Sequence, residues 1–73
     1  MKQTERIIRH IHDYGSITSW EAMQEYGIMR LASRICDLRR LGYPIVVERV
    51  AAKNRYGEKI SYARYRLEAN DGR

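Results

Sequence analysis

The sequence of 73 residues contains one cysteine, one proline and no phenylalanine. The single thiol, Cys36, has no partner for an intrachain disulfide, which excludes a small secreted scaffold held by cystines. A reducing cytoplasm is the expected compartment. No stretch reaches the ~18 consecutive apolar residues of a membrane span. Segment 1–15 is broken by charge at every turn and does not read as a secretory leader. Histidine is scarce as well. His10 and His12 stand two apart on a predicted helix and point away from each other, and with one thiol no zinc-site spacing arises. No glycine-rich loop cradles a phosphate and nothing activates a nucleophile. A chain this short buries only about 60% of its unfolded surface, which leaves little room for a deep pocket. An enzyme, a cofactor and a small-molecule substrate are therefore not expected.

Positive charge is what the sequence does have. Lys and Arg number 14 against 9 Asp and Glu, a formal net charge of +5. The surplus is uneven. Residues 1–27 carry three basic and four acidic side chains, whereas residues 28–73 carry eleven and five. The N-terminal part reads as scaffold and the C-terminal part carries the field, an asymmetry that favours a polyanionic partner.

Apolar spacing places the elements. Ile7, Ile8, Ile11 and Tyr14 form the stripe of an amphipathic helix over 3–14, with Thr4 as a candidate cap and Gly15 as terminator. Ser16-Ile17-Thr18 is too short for an independent strand but can add to a sheet edge. Thr18 and Glu21 fit a capping box that opens a second helix of about two turns, ended by Gly27. Ala22, Met23 and Tyr26 line its inner face, and Trp20 is expected in the core or as a staple. A third helix is predicted from Met29 or Arg30 to Leu41, closed by Gly42 and Pro44. Leu31, Ile35 and Leu38 are its buried stripe, and Arg30, Ser33, Asp37 and Arg40 lie opposite, with Arg34 at the border. After Pro44 the period changes to two. Residues 45–50 read as a strand, 53–58 as a turn, and 59–67 as the returning strand, with Ala63, Tyr65 and Leu67 inward and Tyr62, Arg64 and Arg66 outward. Residues 68–73 are expected to be a frayed tail.

The order is helix, short strand, helix, turn, helix and hairpin. It predicts an α+β winged helix-turn-helix: a three-helix core with a C-terminal two-stranded β-hairpin wing, one domain over 1–73. The third helix, apolar on one side and cationic on the other, suits a DNA major groove about 12 Å wide. Arg30, Ser33 and Arg34 are the candidate base contacts, and Arg40 a candidate phosphate contact. Asp37 is suited to orienting Arg34 or Arg40, or to accepting a hydrogen bond from cytosine. Lys53 and Arg55 at the wing tip are candidate phosphate contacts, and Tyr56 can stack there or cover its own hairpin. Lys59, Arg64 and Arg66 can track the backbone, although pairing of Arg64 or Arg66 with Glu48 competes. Arg39 is expected to snorkel along the core flank, and Cys36 to be a small filler residue.

Residues 17–45 also resemble a known family. Ile17-Thr18, Glu21-Ala22, Tyr26-Gly27-Ile28, Arg30-Leu31, Arg34-Ile35, Asp37-Leu38-Arg39, Gly42-Tyr43 and Ile45 keep the spacing of the small helix-turn-helix domain common in phages and prophages. Tyr65-Arg66-Leu67 is similar to its closing strand. The interval from Ala22 to Gly27 is one residue longer than in the older repressor-type motif, which favours the winged subclass. The resemblance implies a winged helix that binds double-stranded DNA, such as a small regulator or an excisionase-like factor. The alternative is a module that engages a host or phage protein through the same basic face. One such module buries only about 600–1,000 Å² on DNA, so a homodimer or a partner protein is expected to supply a second half-site.

Overall fold

The structure is a computed structural model and describes residues 2–68. Its elements are α1 (Gln3–Tyr14), β1 (Ile17–Thr18), α2 (Ser19–Tyr26), α3 (Leu31–Arg40), β2 (Ile45–Lys53) and β3 (Lys59–Leu67). Residues 69–73 of the expected tail lie outside the described residues.

Each boundary has a local cause. α1 begins one residue ahead of Thr4: Lys2 is its N-cap, and the Lys2 amide donates to Glu5 Oε1 at 3.0 Å. Thr4 therefore sits inside the first turn and does not cap. In α2 the expected capping box forms. Thr18 Oγ1 accepts from the Glu21 amide at 3.2 Å, and Glu21 Oε1 accepts from the Thr18 amide at 2.9 Å. Gly27 ends α2 in the left-handed region at φ 70°, and the next amide, of Ile28, returns to the Ala22 carbonyl at 3.0 Å. This tight exit turns the chain into α3 within four residues. α3 begins at Leu31 with Arg30 as N-cap, later than the earliest expected start.

The core is a cluster of Ile7, Ile11, Ile17, Ala22, Ile28, Leu31, Ile35, Leu38 and Ile45, with Ile8, Tyr26, Tyr65 and Leu67 packed against it. Burial of each large aliphatic side chain contributes about 1.5–3 kcal/mol before chain entropy is counted. Three expected members are absent, one of them Met23, which is exposed on α2. Tyr14 is 74% exposed, and the inner stripe of α1 is Ile7, His10 and Ile11, with the Tyr14 ring leaning on His10 at a centroid distance of 4.7 Å. Trp20 is 65% exposed. Ala22 takes the inward position on α2, and Trp20, two residues earlier, is rotated away by about 200° at 3.6 residues per turn.

The sheet has three strands in the order β1-β3-β2, all antiparallel. The Ser16–Thr18 segment does add to the edge: Ile17 pairs with Tyr65 and Thr18 with Arg64. The hairpin is longer than its first strand suggested, because β2 runs on to Lys53 in unbroken register from Ile45↔Leu67 to Lys53↔Lys59. Opposed residues share a face. Ile45, Val47, Arg49, Ala51 and Lys53 therefore lie on the core side of the sheet with Leu67, Tyr65, Ala63, Ser61 and Lys59. The outer side carries Val46, Glu48, Val50 and Ala52 with Arg66, Arg64, Tyr62 and Ile60. Arg39 ties α3 to this sheet by donating from Nε to the Ile45 carbonyl at 3.1 Å.

Candidate nucleic-acid interface

The outward side of α3 is ordered by one carboxylate. Arg34 Nη2 lies 3.3 Å from Asp37 Oδ2, and Arg40 Nη1 lies 4.0 Å from Asp37 Oδ1. All three come from one helix face at i, i+3 spacing. Arg34 and Asp37 are half-buried and Arg40 is exposed, so the triplet presents one net positive charge with Arg40 outermost. The Arg34 Nε is buried and has no hydrogen-bond partner. Ser33 is half-buried one turn earlier. Arg30 is exposed at the N-cap and forms no ion pair among the described residues. No acid stands in the first turn of α3. Cys36 is exposed on this helix, on the side where helical spacing places it.

The wing tip is built by Asn54. Its Oδ1 accepts from the amides of Tyr56 at 2.9 Å and Glu58 at 3.0 Å, and its Nδ2 donates to Glu58 Oε1 at 2.8 Å. Gly57, at φ 78°, closes the turn. Asparagine suits this task because its short amide copies a backbone turn. The last of these bonds engages Glu58 Oε1 within the turn. Lys53 and Lys59, directly opposite each other in register, have no acidic partner within ion-pair distance among the described residues, nor has exposed Arg55 between them. Like charges so placed destabilise a hairpin. Tyr56 is 81% exposed and does not cover the hairpin.

Arg64 and Arg66 are used differently. Arg64 lies 3.2 Å from Glu48 Oε1, and Arg66 lies 3.1 Å from Glu48 Oε2. The two guanidiniums, Arg66 first, hold the Glu48 carboxyl below its ordinary value against a smaller opposing effect of burial. The competing use foreseen from the sequence is therefore the one the side chains adopt, and the cluster keeps one net positive charge on the outer side of the sheet.

Sequence reasoning passed over Arg49. It is exposed, pairs with no acid among the described residues, and shares the face of Lys53 and Lys59, with only Ala51, Ser61 and Ala63 between them. The signal was present in the period-two alternation from position 45, which already covered Arg49; reading the strand to 50 rather than 53 left out that it continues on the same face to Lys53. The cationic clusters of the candidate interface are thus the Asp37 triplet on α3, the unpaired row Arg49, Lys53, Arg55 and Lys59 on the wing, and Arg30 at the entry to α3.

A model of the winged helix-turn-helix domain matches residues 2–70 of the chain. The chain belongs to that family. Three helices and a small antiparallel sheet ending in a hairpin are the arrangement the family name describes. No curated protein and no solved structure matches the chain. Winged helices are in general DNA-binding rather than enzymatic modules, so the family suggests DNA as the partner of this winged helix. No helix among the described residues is long and apolar enough to cross a membrane, and no group of three or more His, Cys, Asp or Glu among them is placed to hold a metal ion.

Proposed function

We propose that this winged helix is a sequence-selective double-stranded DNA-binding protein acting as a small regulator or excisionase-like factor of the phage and prophage type. α3 enters the major groove, with Arg30, Ser33 and Arg34 toward base edges, Asp37 holding Arg34, and Arg40 on a phosphate. The wing follows the backbone or the minor groove through Lys53, Arg55 and Lys59, with Arg49 alongside, and Arg64 contributes field while it is held by Glu48.

The observation that carries this reading is the wing tip. Lys53 and Lys59 face each other in register around Arg55, and the Glu58 carboxylate of the same turn hydrogen-bonds Asn54. A fold that tolerates such local repulsion gains most from a polyanion laid across it, because phosphate contact removes the repulsion and releases counterions. Asp37 on α3 would favour a protein partner if it stood alone on that face. With an arginine on either side its charge is answered, and DNA remains the better match.

The test is fluorescence anisotropy with a random duplex from low to physiological salt, followed by selection from a random duplex pool. The expected result is binding that weakens by roughly 0.9 log units per neutralised phosphate per log unit of salt, and an enriched site in the pool. No shift at low salt with tens of micromolar protein overturns the reading.

A further inference from the structure

Asp37 is the one acid of α3, and no other acid lies between Glu25 and Glu48. It stands on the outward side of the helix, away from the buried Leu31, Ile35 and Leu38. The proposed docking carries this carboxylate toward the phosphates together with Arg34 and Arg40. An acid there works against affinity, because like charges brought together repel.

Its two ion pairs are unequal. Asp37 Oδ2 lies 3.3 Å from Arg34 Nη2, and both side chains are 39% exposed. Asp37 Oδ1 lies 4.0 Å from Arg40 Nη1, and Arg40 is 82% exposed. Partial burial shields the first pair from salt, whereas the second is open to water and screened. The Arg34 Nε is buried without a partner, so the fork meets a ligand by its Nη edge. Arg34 is thus held at its stem by packing and at its tip by Asp37. Arg40 is free to leave the carboxylate for a phosphate. The triplet presents one net positive charge with Asp37, and two without it.

We infer that Asp37 is a selectivity residue. It weakens binding to every duplex, and it keeps Arg34 off the phosphates, so that this arginine adds affinity only where a base edge receives it. A guanine within reach accepts from the Nη edge while Asp37 still holds the guanidinium. Specificity is a difference of affinities, and lowering the wrong one serves as well as raising the right one. The inference rests on the DNA-binding reading and gives Asp37 a task within it.

Anisotropy titrations of the whole chain on a selected and a scrambled duplex test it, with Asp37→Asn, Asp37→Glu and Asp13→Asn beside wild type. Asp13→Asn makes the same change in net charge on α1, where Asp13 pairs with Arg9. Asp37→Asn should bind the scrambled duplex roughly tenfold tighter and the selected duplex only about twofold tighter, so that the preference falls about fivefold. Its salt slope on the scrambled duplex should steepen by about 0.9, the mark of one more phosphate neutralised. Its melting temperature should barely change, since i, i+3 pairs at a surface contribute little. Asp37→Glu should stay near wild type, and Asp13→Asn should change both duplexes alike by about twofold or less. Scrambled-duplex binding that is unchanged or weaker in Asp37→Asn overturns the inference. So does an equal gain on both duplexes, or the same effect from Asp13→Asn. A wild type that binds neither duplex overturns the DNA-binding reading itself, and the inference with it.

Discussion

His10 is the single buried polar side chain among the described residues, and it joins α1 to α2. Its Nδ1 shares a 2.7 Å hydrogen bond with the Tyr26 hydroxyl, while its Nε2 lies 3.8 Å from Glu21 Oε1, the carboxylate that also closes the α2 capping box. The ring thus braces the C-terminal end of α2 through Tyr26, while Nε2 is buried without a hydrogen-bond partner. Tyr26→Phe leaves Nδ1 without a partner and should cost about 1–2 kcal/mol, read as a lower melting temperature at neutral pH. The same variant has a pH signature. Burial, with help from Tyr14, Glu25 and Asp13, raises the Tyr26 phenol above its ordinary 10.0. A group raised in this way contributes stability that is complete below pH ~10 and is lost as pH climbs through the folded value. Wild-type stability should therefore fall at high pH, and Tyr26→Phe should flatten that limb. A melting curve for the variant identical to wild type at pH 7 and pH 11 would contradict both points. Nothing in residue spacing marked His10 as a brace. Its neighbours Ile7 and Ile11 showed the inward face of α1, but a histidine on that face could as well have sat at the margin.

At the scale of elements, the sheet owes its outer-side order to Glu48, which receives Arg64 and Arg66 at 3.2 and 3.1 Å. The lowered Glu48 carboxyl contributes stability that is present above about pH 4.5 and is lost as pH falls through its depressed folded value. Glu48→Gln should flatten the acid limb of stability followed by circular dichroism between pH 5 and pH 2. An unchanged acid limb would mean the two arginines do not hold the carboxylate in solution. The elements themselves were largely legible. Capping box, Gly15, Gly27 and the change of period after Pro44 are local signals, and local hydrogen bonding honours them. What local spacing passed over lies where a neighbouring element decides. β1, expected as an addition to a sheet edge, forms because the edge of β3 is open to it. Ile28 is buried because the Gly27 exit directs it under α3, although it falls outside any helical stripe.

For the whole molecule, the distribution of unpaired charge separates two kinds of contact. Arg30 stands at the start of α3, which the proposed docking turns toward base edges, and Lys53 stands at the wing tip, which it turns toward phosphates. Arg30→Ala should relax sequence preference, costing about 1–3 kcal/mol at the selected site and little on random duplex. Lys53→Ala should weaken all duplexes alike and lower the magnitude of the salt slope by about 0.9. Parallel anisotropy titrations on selected and scrambled duplexes distinguish the two. Equal losses on both duplexes for Arg30→Ala would remove that residue from base readout.

The sequence by itself determined the helix order, the winged class and the basic C-terminal half, because capping, glycine placement, apolar period and charge count act over a few residues. Tertiary structure decided between the uses the sequence left open for the strand cations. Glu48 engages Arg64 and Arg66 across the hairpin, and strand register sets Lys53 against Lys59. Cross-strand partners near position 48 stand 16 or 18 residues apart in the chain and meet only when the hairpin closes. Exposure of Trp20 and Leu41 has the same origin, since a large apolar residue is buried only where another element arrives to cover it.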